Sequence, residues 1–242
     1  VDQIVYIISQ AIKKRNSLFS NYFNAKPAKE IKNEIGNQSI ELNDIANSLF
    51  NCYPLHPITT LLLGPLFRKL SQNERSLFAF LCSNEFYSFK NFLDNTFIES
   101  KTSSPLFNVD NLYDYVVSSI GSGLYINHNG KVWAEIEHAL SRINKDELTE
   151  IRIIKTIGLL NAVGNFVNIK ATFEVINYCL CEKVQTLKEK LNALIARGII
   201  VDWRFNKTYA LWHGSDIDIE NEIKDAKSKL HYNDNIGDLI KK

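Results

Sequence analysis

Apolar residues recur at helical spacing over most of the chain. Ile4, Ile7, Ile8, Ala11 and Ile12 fit one helical face, and Lys13-Lys14-Arg15 follow them. Residues 24–38 are polar, contain Pro27 and Gly36, and read as a connector. Ile40, Asp44, Ala46 and Leu49 begin a second helix that Tyr53-Pro54 stops. His56-Pro57 opens an apolar helix through Leu61, Leu62, Leu66 and Leu70. Pro57 is tolerated in the first turn, whereas Gly64-Pro65 predicts a kink. Ser71 with Glu74 three residues on forms a capping box, which predicts a helix from Gln72 to about Leu81. Asn84 stops it, and Ser88 to Phe97 supplies a short amphipathic helix. Lys101 to Pro105 is the most linker-like stretch. Two further helices are predicted, Val109 to Ile120 and Lys131 to Ile143, with Gly121 to Gly130 read as a loop between them.

The character changes after residue 146. Asp146 can cap a helix carrying Leu148, Ile151, Ile154, Ile157 and Leu160 and ending near Gly164. A short helix covers Ala171 to Tyr178. In the next, Val184, Leu187, Leu191 and Leu194 form a buried stripe. Gly198 is placed to end it in a left-handed turn. Two β-like runs follow, Ile199 to Arg204 and Thr208 to Trp212, joined by Phe205-Asn206-Lys207. Three helices running into a hairpin is the order of a winged helix-turn-helix. The expected fold is therefore mainly α: a helical bundle over 1–145, a winged helix over 146–230 with a small β-hairpin, and a tail over 231–242.

Composition narrows the class. With 45% hydrophobic and 23% charged residues, the chain has the make-up of an ordinary globular protein. No apolar run reaches 18 residues, and no signal peptide is visible. Cys52, Cys82, Cys179 and Cys181 are too sparse for a disulfide framework and lack zinc spacing, so free thiols in a cytoplasmic protein are expected. Average usage would give roughly five methionines, but there are none, and the first residue is Val1. A fragment of a longer protein is the expectation.

Charge adds locality. The total is 28 Lys+Arg against 27 Asp+Glu, a net +1, which gives no simple case for polyanion binding. Residues 147–212 nevertheless hold nine Lys/Arg and six Asp/Glu, a local +3, and residues 213–229 hold three Lys and five Asp/Glu, a local −2. The outer face of the 184–197 helix carries Gln185, Thr186, Glu189, Lys190, Ala193 and Arg197, flanked by Lys183 and Lys188. The hairpin adds Arg204 and Lys207. A DNA-reading winged helix places its third helix in the major groove and its wing on phosphate. Those six cations, Lys183, Lys188, Lys190, Arg197, Arg204 and Lys207, are the candidate nucleic-acid contacts. Winged helices also bind proteins, so both partners stay open.

Catalytic and cofactor motifs give nothing positive. No G-x-x-x-x-G-K-[ST] occurs; Gly123 to Gly130-Lys131 has the wrong spacing, and Lys131 is followed by Val132. The five histidines form no metal motif, and no G-x-S-x-G appears. No catalytic residue, metal ligand or cofactor site is assigned from spacing. Arg75, at the start of an otherwise apolar helix, reads either as an ordinary exposed or paired arginine or as one presented to a nucleotide or carboxylate.

A series of phrases carries a resemblance: Tyr53-Pro54-Leu55-His56-Pro57, Gln72 to Phe78, Asn111 to Tyr115, Trp133 to Glu137, Lys155 to Leu160 and Tyr209 to Asp216. In that order they resemble the region downstream of the nucleotide-binding core in very large bacterial P-loop ATPases of the AAA+ and STAND type. The resemblance covers roughly residues 53–222. His213 departs from it, standing where an acidic residue is more usual. The resemblance implies a lid-like helical segment followed by a winged helix, with the Walker motifs, ATP and Mg belonging to the remainder of the parent ATPase. It makes Arg75 a candidate nucleotide-sensing residue. The implied role is non-catalytic and regulatory, coupling nucleotide state to duplex DNA or a protein partner, with no membrane involved. The alternative is a free-standing winged-helix transcriptional regulator that binds DNA.

Overall fold

The computed structural model describes residues 2–12, 48–49, 51–70, 74–96, 105–126 and 130–212. The polar connector, the 101–104 stretch and everything from His213 onward, including the acidic segment and the tail, lie outside them. So do Ser71 to Asn73 of the expected capping box and most of the helix expected from Ile40. The described chain is mainly helical with one two-stranded antiparallel sheet.

Helix α1 (Asp2–Ala11) is shorter than its periodicity suggested, and its inward face is offset. Val5 and Ile8 are buried, Ile4 and Ile12 are half-buried, and Ile7 is exposed. Val5 was the missed core position. The backbone carbonyl of Val5 accepts from the Cys52 thiol at 3.7 Å, which ties α1 to the turn before α2.

Helix α2 (Pro57–Lys69) runs through Gly64-Pro65 to Lys69, close to the expected end at Leu70, and it is buried from Pro57 to Phe67. His56 caps it, its Nδ1 accepting from the Ile58 N–H at 3.2 Å. The Tyr53-Pro54 peptide is cis. Leu55 pairs with Phe107 in an isolated parallel bridge, fixed by His56 N–H to Phe107 O at 3.0 Å and Phe107 N–H to Pro54 O at 2.9 Å.

Helix α3 (Glu74–Cys82) and helix α4 (Phe89–Asn95) follow. Ser88 caps α4 by accepting from Asn91 N–H at 3.1 Å, the expected start, but the helix ends at Asn95. Phe80 sits among the rings of Phe67, Phe89, Phe107 and Tyr115 at centroid distances of 6.2, 6.1, 5.3 and 4.9 Å. Helix α5 (Val109–Ile120) has the predicted limits. The segment read as a loop contains a short helix, α6 (Gly123–Ile126), and α7 runs over Gly130–Ser141.

Helix α8 (Leu148–Val163) is the centre of the structure. Its sequence is apolar nearly all round, which is what a helix covered on several sides requires. It packs against α2, α5 and α7, and also against helix α9 (Phe173–Leu180), helix α10 (Val184–Ala196) and strand β2 (Thr208–Leu211). The turn at 145–146 between α7 and α8 therefore does not interrupt the hydrophobic core, and the described residues up to Trp212 cluster as one unit. Glu147, not Asp146, is the N-cap residue of α8, and Leu148 is exposed. Among the described residues no helix is long and apolar enough to cross a membrane.

Gly158 on α8 packs closely against Ile136 on α7. A Cβ there would lie 2.5 Å from Ile136 Cγ1, 2.8 Å from Cδ1 and 3.2 Å from Cγ2. Overpacking costs about 1–3 kcal/mol, while replacing a helical glycine by alanine returns about 1 kcal/mol. Gly158→Ala is expected to destabilise by about 1 kcal/mol net. Ile136→Ala should cost less in that background than alone; thermal melts of the two single variants and the double variant check both statements. Equal costs in both backgrounds would refute the contact.

Candidate functional site

The predicted cations lie on α10 and the hairpin, so those elements set their geometry. Thr172 caps α9 by accepting from Val175 N–H at 3.3 Å, which starts the helix two residues later than expected. Cys181 ends α9 in the left-handed conformation (φ 53°), and α10 begins three residues on. Leu187, Leu191 and Leu194 are buried as predicted; Val184, the first member of the stripe, is half-exposed. Gly198 takes φ 60°, the left-handed turn its position predicts. Strand β1 (Ile200–Trp203) pairs with β2 in the register Ile200↔Leu211 to Trp203↔Thr208, one residue shorter at each outer end than the β-like runs.

The structure divides the six cations. Lys190 is turned onto α8, its Nζ 2.7 Å from Glu150, whose side chain is buried. Arg197 pairs with Glu147 at 2.7 Å and donates to Arg142 O at 2.8 Å. Arg142 answers by donating to Gly198 O at 2.9 Å and Arg197 O at 2.7 Å. This reciprocal pair pins the α10–β1 turn to the end of α7. Hydrogen bonds from Asn144 N–H and Arg197 hold the Glu147 carboxyl below its usual range. Lys188 lies over the Phe173 ring, 5.7 Å from its centroid. Lys183, at the N-cap position of α10, is exposed, as are Arg204 and Lys207 at the hairpin end. Gln185 and Glu189 are hydrogen-bonded to each other at 2.8 Å on the outer face. Arg75 lies in the first turn of α3, and its side chain falls outside the described residues.

Sequence reasoning missed two features. The first is an ion-pair ladder between α5 and α8. Arg152 reaches Asp110 at 3.0 Å, Glu182 at 3.1 Å and Leu180 O at 3.3 Å; Lys155 reaches Asp114 at 2.6 Å. Burial lifts the Asp114 carboxyl above its ordinary range despite the opposing pull of the Lys155 ammonium. The visible signal was two cations three residues apart inside a mostly apolar helix.

The second is the aromatic content of the hairpin. Trp203, Phe205 and Trp212 are exposed, Phe205 at 99%. The string Trp-Arg-Phe-Asn-Lys carries that signal in the sequence, because aromatic and cationic positions alternate in it.

Cys52 and Cys179 are buried free thiols, whereas Cys82 and Cys181 are exposed. Burial raises the Cys179 thiol well above its ordinary range. Among the described residues no group of three or more His, Cys, Asp and Glu could hold a metal ion. Comparison with protein families, with characterised proteins and with solved structures finds no match to this chain.

Proposed function

We propose that the chain is a non-catalytic coupling module of a large bacterial P-loop ATPase, working in the cytoplasm. In this reading a helical body is continuous with a winged helix that meets duplex DNA or a protein partner. The order α8–α9–α10–β1–β2 supports the winged helix. So does Tyr209 N–H donating to Ala171 O at 2.8 Å, which holds the segment between α8 and α9 beside β2.

The observation that carries the coupling role is the double membership of α8. It is at once the first helix of the proposed winged helix and the helix on which α2, α5 and α7 pack. Ion pairs on both sides of it tie α8 to α5 and to α10, which in this reading lets a displacement of the body reach the hairpin. ATP and Mg belong, in this reading, to the rest of the ATPase, and Arg75 is the candidate contact from this chain. A free-standing regulator reading DNA with α10 would need the cations of that helix. Two of them are committed to Glu147 and Glu150, which favours the coupling reading.

The complete open reading frame tests the ATPase half. A P-loop encoded upstream of Val1 supports it, and a gene without one overturns it. Titration of duplex DNA at low and moderate salt tests the DNA arm. If duplex is bound, Arg204→Ala and Lys207→Ala should weaken binding and flatten its salt dependence, while Lys190→Ala leaves both unchanged. A stable protein partner recovered with or without nucleic acid would select the other arm.

A further inference from the structure

The hairpin end presents aromatic and cationic side chains to solvent. Asn206 N–H donates to Trp203 O at 2.9 Å, closing a turn whose two central residues are Arg204 and Phe205. A hydrogen-bonded turn of this kind projects its central side chains away from the strands, and Phe205 is accordingly 99% exposed. Lys207 then adopts φ 52°, a conformation that glycine or asparagine takes at little cost and lysine does not. Trp203 and Trp212 add two further exposed ring systems on the same hairpin.

Charge identifies what such a surface suits. From Trp203 to Trp212 the chain holds two cations, four aromatic residues and no acid. The nearby negative groups, Asp202 and Glu174, act on Tyr209; Asp202 pairs with Tyr209 one step from the turn and, by strand alternation, lies on the face opposite Trp203. Flat apolar rings interleaved with cations complement a strand whose base faces are open and whose backbone is anionic. A paired duplex hides those faces, and a neutral apolar protein surface would leave the cations without counter-charge.

We infer that the hairpin end binds unpaired nucleotides, with Phe205 stacking on an exposed base and Arg204 and Lys207 meeting the flanking phosphates. The inference rests on the reading of the hairpin as the partner-facing element, and it specifies single-stranded or frayed nucleic acid as the ligand.

The test uses the whole 242-residue chain and its own fluorescence. Trp133 is buried against Tyr113 and Trp212 lies at the base of the hairpin, so a ligand at the hairpin end quenches chiefly Trp203, which flanks the turn. Titration with a short oligothymidylate should give saturable quenching at micromolar protein, and a blunt duplex hairpin of equal length should bind more weakly. Oligouridylate separates RNA from DNA as the source of the unpaired bases, and binding of either supports the inference.

Phe205→Ala should weaken oligothymidylate binding about tenfold, the effect of losing one base–aromatic stack. Lys207→Gly relieves the backbone conformation, so it should raise the melting temperature while lowering the salt slope by roughly 0.7 for the phosphate lost. That variant separates loss of contact from loss of fold. Unchanged affinity in Phe205→Ala, or no quenching by any single strand, overturns the inference. Duplex binding that ignores Phe205 overturns it too, yet leaves the DNA arm of the proposed function standing. Single-strand binding through Phe205 without duplex binding supports the inference and removes that arm.

Discussion

Arg152→Met is expected to lower the stability of the chain by about 3 kcal/mol. Arg152 is shared by three elements: its guanidinium meets Asp110 on α5 at 3.0 Å, Glu182 after α9 at 3.1 Å, and the Leu180 carbonyl at 3.3 Å. The Asp110 side chain is only 10% exposed, and its second carboxylate oxygen is buried without a hydrogen-bond partner among the described residues. Removing the guanidinium therefore strands a carboxylate in a poorly hydrated site. Breaking a buried pair in this way costs about 3–5 kcal/mol. The low end applies because the Arg152 side chain is itself 30% exposed, so water can partly replace it.

The asymmetry of the pair is the sharper test. In Asp110→Asn/Arg152→Met the stranded charge is gone, so the double variant should be more stable than Arg152→Met alone. Urea titrations, read at the midpoint with an unchanged slope, measure all the variants on one scale. Single effects that add to the double within about 0.5 kcal/mol would show that the two groups do not interact. Because the same guanidinium holds the end of α9, Arg152→Met should also increase hydrogen exchange in α9 more than in α3.

The difference between what the sequence discloses and what it hides follows from the range of each interaction. Helix α5 was readable to its ends because its own periodicity and flanking Asn108 and Gly121 specify it. The stripe Leu187, Leu191, Leu194 and the left-handed Gly198 are likewise local. Helix α1 was misjudged because Ile7 and Val5 fit adjacent faces equally well, and only α2 and the Cys52 turn decide which turns inward. Lys190 and Arg197 looked like outward cations because their partners, Glu150 and Glu147, are 40 and 50 residues away in sequence. Periodicity identifies a helix face but does not say whether an acidic residue from another helix lies beneath it. The hairpin end was legible in composition, but its exposure depends on the turn closed by Asn206 and Trp203.

His56 should make the fold acid-sensitive in a defined window. The ring is fully buried, and its two nitrogens face opposite demands. Nδ1 accepts the Ile58 N–H at 3.2 Å, so the proton of the neutral ring sits on Nε2 and is donated to Tyr178 O at 3.1 Å. A second proton on Nδ1 would oppose the N–H it caps and would place a charge in the core. Burial accordingly lowers the His56 pKa from 6.5 to about 4, with the Tyr178 carbonyl pulling weakly the other way. The unfolded chain takes up this proton near pH 6.5, whereas the folded chain resists it down to about pH 4. The contribution is thus complete above pH 6.5 and is lost as the pH falls towards 4, about 3 kcal/mol in all. His56→Asn keeps a side chain able to cap α2 but cannot titrate. It should be less stable than the parent chain at neutral pH, and the gap should close by about 3 kcal/mol across that window, since carboxylates titrate in both proteins and cancel. Stability curves that stay parallel from pH 6.5 to pH 4 would mean that His56 is not the group responsible.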